Sequence, residues 1–161
     1  MGKLTGETAS KYLSSHPPTE TDSFTKDVSV GIEVISKDAI SQWANVLTQA
    51  TPAAFHGSSN PKEAKNDIDF WFGKKKTIHT TAIMNNCSLC IIKPHIIKEG
   101  NAGKIIDAIL AQGFEISAME MFYLDRPSVE EFWDVYKGVL AEYIPMIEHL
   151  SAGPIIAMEI R

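Results

Sequence analysis

Cys87-Ser88-Leu89-Cys90-Ile91-Ile92 is a near-continuous apolar run that stops at Lys93-Pro94-His95. Its length and apolarity predict a strand buried on both faces, the pattern of the centre of a sheet. Downstream, Gly103–Gln112 carries Ile105, Ile106, Ile109 and Leu110 at helical spacing, with Gly113 placed as the C-cap. Phe114–Leu124 alternates through Phe114, Ile116 and Ala118, which predicts a second strand. Ser128 and Glu131 have capping-box spacing for a helix through Tyr136. A further helix over 141–150 and a closing strand over 155–160 complete this half. Strands and helices mixed in this way predict an α+β fold.

Upstream the pattern is looser. Residues 1–27 are polar and contain Pro17-Pro18, so they read as loop with a short helix over 8–14. Val28, Val30, Ile32 and Val34 alternate with Ser29, Gly31 and Glu33, predicting a strand over 28–35. Ser36 then caps a helix carrying Ile40, Trp43 and Leu47, which ends before Pro52. Ala53–His56 reads as a short strand end and Gly57-Ser58-Ser59 as a turn. Asn60 as N-cap, Pro61 at N1 and Glu63 at N3 start another helix, with Ala64, Ile68, Trp71 and Phe72 on its buried side. Residues 73–86 read as a linker that begins with Lys74-Lys75-Lys76.

The formal net charge of −5 argues against a nucleic-acid backbone as partner, which would select a basic surface. No apolar stretch approaches membrane-spanning length, and the first residues lack the apolar core of a signal peptide. The expectation is an intracellular chain without a membrane partner. Cys87 and Cys90 have C-x-x-C spacing, but within a strand two residues three apart point to opposite faces, so they read as core thiols rather than a redox pair. His16, His79, His95 and His149 show no metal-ligand spacing, and no metal site is expected. One short echo links Val30-Gly31-Ile32-Glu33-Val34 to Ile156-Ala157-Met158-Glu159-Ile160.

Lys93-Pro94-His95, Glu99-Gly100, Gly103-Lys104-Ile105, Gly113-Phe114-Glu115-Ile116 and Ser151-Ala152-Gly153-Pro154-Ile155-Ile156-Ala157-Met158 occur in the order and at the distances of the nucleoside diphosphate kinase family, which this segment resembles. The wording of 113–119 and of Val129-Glu130-Glu131-Phe132 is most similar to the second module of the family's two-module, cilium-associated branch. Val28–Ile40, Phe55-His56-Gly57-Ser58 and 64–72 then resemble the C-terminal half of a first module, with its His-Gly-Ser motif and last helix. The resemblance implies three parts: residues 1–73 as that C-terminal half, 74–86 as linker, and 87–161 as the N-terminal half of a second module. The implied sheet is ferredoxin-like and antiparallel. The two halves either form one composite, permuted domain, with 53–56 paired to 87–92, or are each completed by a separate chain.

By the resemblance, His56 matches the histidine that accepts a γ-phosphoryl group. Asp67 matches the acid that orients its ring, and Ser58 the serine of His-Gly-Ser. Lys93 matches the phosphoryl-contacting lysine but lies in the other half. Trp133 and Tyr143 loosely echo the aromatic that stacks on the nucleotide base. Two departures stand against catalysis. Ala53 occupies the family's asparagine position, and only 48–54 spans the place of the loop whose arginines and threonine grip the phosphates. The family implies Mg²⁺ and ATP as cofactors for an active enzyme, with nucleotide as partner. A structural protein needs no cofactor; the branch implies an axonemal setting in cilium or flagellum, within the cytoplasm and cytoskeleton. Its partners are then tubulin or other axonemal proteins, with Lys74–Lys76 as a docking element for an acidic surface.

Overall fold

A computed structural model describes residues 1–14, 27–49, 55–73 and 78–161. Pro17-Pro18, Ala53-Ala54, the greater part of the 48–54 bridge and Lys74–Lys76 lie outside the described residues. The chain divides into two compact units, Met1–Thr81 and Ala82–Arg161. No helix among the described residues is long and apolar enough to cross a membrane.

The first unit begins with β1 (Gly2–Lys3) and α1 (Gly6–Leu13). The Thr5 hydroxyl caps α1 by accepting from the Thr8 N–H. β2 (Val28–Ser29) pairs antiparallel with β1 over two rungs, Gly2 with Ser29 and Lys3 with Val28. α2 (Ala39–Leu47) and α3 (Pro61–Phe72) follow. Asn60 caps α3 as expected, its Oδ1 accepting from the N–H groups of Lys62 and Glu63. Leu4, Ala9 and Tyr12 form a small buried cluster against Phe70, Trp71 and Ile78.

Two expectations for this unit need correction. The strand over 28–35 shrinks to two residues, because among the described residues β2 has only the two-residue β1 to pair with. Val30, Ile32 and Val34 keep the alternating pattern but, like Ile35, lie exposed and outside any ladder among the described residues. Nor does Ser36 cap α2: Asp38 holds the N-cap position in a left-handed conformation and makes no side-chain cap bond.

The second unit runs β3 (Ser88–Ile92), α4 (Pro94–Lys98), α5 (Ala102–Ala111), β4 (Ile116–Tyr123), α6 (Arg126–Phe132), a 3-10 turn (Asp134–Tyr136), α7 (Tyr143–Leu150) and β5 (Pro154–Ile160). The three strands form one antiparallel sheet in the order β3-β5-β4. With helices linking its strands, this is a ferredoxin-like α+β arrangement. Val129, Tyr143, Ile147, Leu150 and Ile155 pack the core between α6, α7 and β5, with Ile91, Leu124 and Trp133 at its margin.

Here the correction concerns the sheet. The run 87–92 is not central: β3 has β5 as its one partner among the described residues, and Leu89 is exposed. The central strand is β5, which carries both ladders. Phe55 and His56 belong to no strand, so these two residues supply no pairing for the composite sheet. The Ser128/Glu131 capping box is replaced by Asp125, whose Oδ1 accepts from the Ser128 N–H. The Ser128 hydroxyl and N–H hold the Asp125 carboxyl below its usual range.

Glu159 ties the entry to β3 onto the sheet. Its carboxylate accepts from the N–H groups of Ile83 and Met84, both at 2.7 Å, from the Ser117 hydroxyl at 2.6 Å and from the Cys87 thiol at 3.3 Å. The segment it holds contains Met84 and Asn86 in left-handed conformations, which carry a backbone cost. These donors, the Ile83 N–H foremost, pull the Glu159 carboxyl from its ordinary 4.5 to about 2. A depressed folded-state pKa adds stability that is present above the unfolded value and lost as pH falls through the folded one. The melting temperature of the second unit is therefore expected to fall between pH 4.5 and 2. Glu159→Gln is expected to start lower at neutral pH and to converge with wild type near pH 2. Parallel pH–melting curves for the two proteins would count against this role.

Candidate functional site

The histidine site is built by the start of α3 and the loop before it. Asn60 and Pro61 fix where the helix begins, so Glu63 and Asp67, four residues apart, share one helical face. His56 and Ser58 lie on the loop facing it. Asp67 is buried, and its Oδ2 accepts from the Ser58 hydroxyl at 2.6 Å and lies 3.8 Å from His56 Nε2. Ser59 donates to Glu63 Oε2 through its N–H at 2.8 Å and through its hydroxyl. One ligand atom from each of His56, Glu63 and Asp67 lies within 4.8 Å of the others.

Tyr12 closes one side. Its ring meets the His56 ring edge-on, with centroids 6.0 Å apart, and packs against Phe70 and Trp71. Burial, and then the Asp67 charge, push its hydroxyl up to about 12. The phenol thus stays neutral beside the site throughout the physiological range. The sequence reading missed Tyr12, although its position on the short helix predicted over 8–14 was the available signal.

The site opens on a groove of ≈ 580 Å³ lined by residues from 28–34, α2, 55–58 and α3. Its walls are mostly apolar, with Ile40, Trp43, Phe55, Ile68 and Trp71 prominent. The charged side chains lining it are Glu33 and Asp67; neither lysine nor arginine is among the described lining residues. The only arginines of the chain, Arg126 and Arg161, belong to the second unit and lie beside Glu130 at 2.7 Å and Glu115 at 3.8 Å.

Of the residues singled out from sequence, the structure brings His56, Ser58 and Asp67 together. Lys93, Trp133 and Tyr143 belong to the second unit. Lys93 is exposed at the start of α4. Tyr143 is a core residue, with its hydroxyl 3.5 Å from the Glu130 carbonyl, and Trp133 packs against the same core. Cys87 and Cys90 are free thiols.

Comparison with known proteins bears on these placements. The nucleoside diphosphate kinase family matches residues 86–161. Nucleoside diphosphate kinase homolog 7 of Rattus norvegicus is 37% identical over 155 residues, covering 82% of this chain and 39% of the rat protein. The Mus musculus protein of the same name is 36% identical over the same shares. The chain thus spans about two fifths of the length of these relatives. Among solved structures, the Aquifex aeolicus nucleoside diphosphate kinase aligns with 45% of this chain and 50% of its own, at 32% identity and a TM-score of 0.43. Residues 86–161 thus match the nucleoside diphosphate kinase family, and the two homolog 7 relatives align with 82% of this chain's length.

Proposed function

We propose that this chain is a non-catalytic structural or interaction protein derived from the kinase fold. The observation that carries this reading is the charge of the histidine groove. Phosphoryl transfer depends on positioning and on cations that neutralise the transferring group. The described residues lining the groove offer two carboxylates, Glu33 and Asp67, and no lysine or arginine, so a polyphosphate entering it meets repulsion. Lys93, the family's phosphoryl-contacting residue, belongs to the other unit.

The setting we propose is the axonemal microtubule of a cilium or flagellum, with tubulin or another axonemal protein as partner. The support is the resemblance to the two-module, cilium-associated branch together with the similarity to homolog 7 of rat and mouse. Sedimentation with axonemal microtubules checks this part. Replacing Lys74–Lys76 by alanine is expected to weaken sedimentation without changing the melting temperature.

The competing reading is an active kinase working through phosphohistidine, and one observation favours it: Ser58, Asp67 and His56 remain in mutual reach. Incubation with γ-labelled ATP and Mg²⁺, followed by an alkaline gel, separates the two. The expected result is no acid-labile label above the background of His56→Ala. A label on wild type that vanishes in His56→Ala would establish the kinase instead.

A further inference from the structure

We propose that His56, Glu63 and Asp67 form a binding site for a divalent first-row transition ion, for which Zn²⁺ is the best-suited probe. The inference is separate from the non-catalytic reading, since no nucleotide enters it. Sequence spacing among the other histidines gave no metal site; this one becomes visible only when the loop carrying His56 folds onto α3. One imidazole and two carboxylates are then gathered with their ligand atoms within 4.8 Å of one another.

Three features suit a transition ion. The ligand set is mixed: imidazole favours zinc, copper, iron or nickel, whereas calcium and magnesium prefer oxygen-only shells with more ligands. Three protein ligands with the fourth position facing a groove is a common zinc arrangement. Ligand–metal distances of about 2.1 Å place tetrahedral ligand atoms about 3.4 Å apart, close to the 3.8 Å already separating His56 Nε2 from Asp67 Oδ2. The remaining contraction falls to Glu63, a long side chain that is only partly buried.

The charge also fits. The buried Asp67 lines the groove together with Glu33, and Glu63 adds a third carboxylate beside His56; a dication offsets that excess where a phosphate would add to it. The ligands are also held from behind. Ser58 donates to Asp67, and Ser59 donates to Glu63, the outer contacts that orient carboxylates on a metal. On the His56 side, the Tyr12 ring stands edge-on with its centroid 6.0 Å away and walls that flank. A metal bound to the imidazole would occupy the lone pair that phosphoryl transfer needs.

The test titrates the chelator-stripped full chain with Zn²⁺ by calorimetry. One ion per chain is expected. Glu63→Gln and Asp67→Asn are each expected to weaken binding at least tenfold, because each removes an anionic ligand. Two control variants, His95→Ala/His149→Ala and Cys87→Ser/Cys90→Ser, should bind as wild type. X-ray absorption of the zinc-loaded wild type keeps the proposal testable if a site variant fails to fold. It should show one imidazole nitrogen with oxygen neighbours. Absence of saturable binding, binding unchanged in Glu63→Gln, or a shell containing sulfur or a second imidazole would overturn it.

Discussion

Ile155→Asp is expected to unfold the second unit and abolish soluble expression. Ile155 lies on the central strand and is 2% exposed, packed with Val129, Tyr143, Ile147 and Leu150. Losing the aliphatic side chain removes roughly 2–5 kcal/mol of packing, and burying a carboxylate with no cation beside it adds a further penalty. A domain of this size holds only about 5–15 kcal/mol in total. Ile156, its neighbour on β5, is only partly buried and faces the other side of the sheet. Ile156→Asp should therefore be the milder of the two. Trp133 is the one tryptophan of this unit. In a double variant with Trp43→Phe and Trp71→Phe, its emission reports the loss directly. Wild-type emission from Ile155→Asp would mean that the core between β5 and α7 is not what holds the sheet.

Gly57→Val is expected to destabilise the first unit by about 1–3 kcal/mol, the usual cost of overpacking, and to weaken any ligand binding at His56. A Cβ at Gly57 would sit 2.5 Å from Leu47 Cδ1 and 2.7 Å from Trp43 Cδ1, well inside van der Waals contact. Leu47 has a rotamer with which to yield, but the Trp43 indole is a rigid plate, so the loop carrying His56 must move away from α2. Gly6→Ala is the matched control. Nothing lies within 4 Å of a Cβ there, and the residue opens a helix, so the substitution should leave stability unchanged or slightly higher. Chemical denaturation followed by Trp43 and Trp71 emission measures both. A Gly57→Val midpoint equal to wild type would show that the loop has more room than its contacts imply.

The echo between 30–34 and 156–160 shows how far sequence carried the fold. Both segments alternate, both predict a strand, and only the second becomes one. The difference is not in the segments but in what lies beside them: 154–160 has a neighbour on each side, whereas β2 meets a two-residue partner. Periodicity records which face a strand would bury, not whether a ladder is on offer. The same blindness put 87–92 at the centre of the sheet, since an apolar run does not say how many neighbours it has.

Caps fared better where the residue type left little choice. Asn60-Pro61 set α3 as expected, and that helix positions Asp67. At the other helix starts, Asp125 and Asp38 displaced the serines that capping patterns suggested. The histidine site was legible as far as His56, Ser58 and Asp67, because motif and helix phase bring them together. Glu63 was read only as a capping residue, because no short-range pattern says that a helix will fold back on the loop before it. Tyr12 was hidden for a related reason. Its contact with His56 joins residues 44 positions apart, across a polar stretch and the predicted strand and helix that follow it.

The central strand of the second unit is also the last of its strands to be synthesised. β3 and β4 do not touch in the sheet order; among the described residues each bonds only to β5. While the ribosome is still making residues 124–153, both strands exist without a partner, and no amount of waiting lets them pair correctly. The sheet closes in one event once 154–160 have left the exit tunnel. The rungs between 88 and 160 then join chain positions about as distant as this unit allows. Until then the helices, each of ten residues or fewer, are marginal on local contacts alone, and the apolar faces of β3 and β4 are open to other chains. For this unit, the hazardous interval in the cell is set by translation speed across α6 and α7 rather than by the stability of the finished fold.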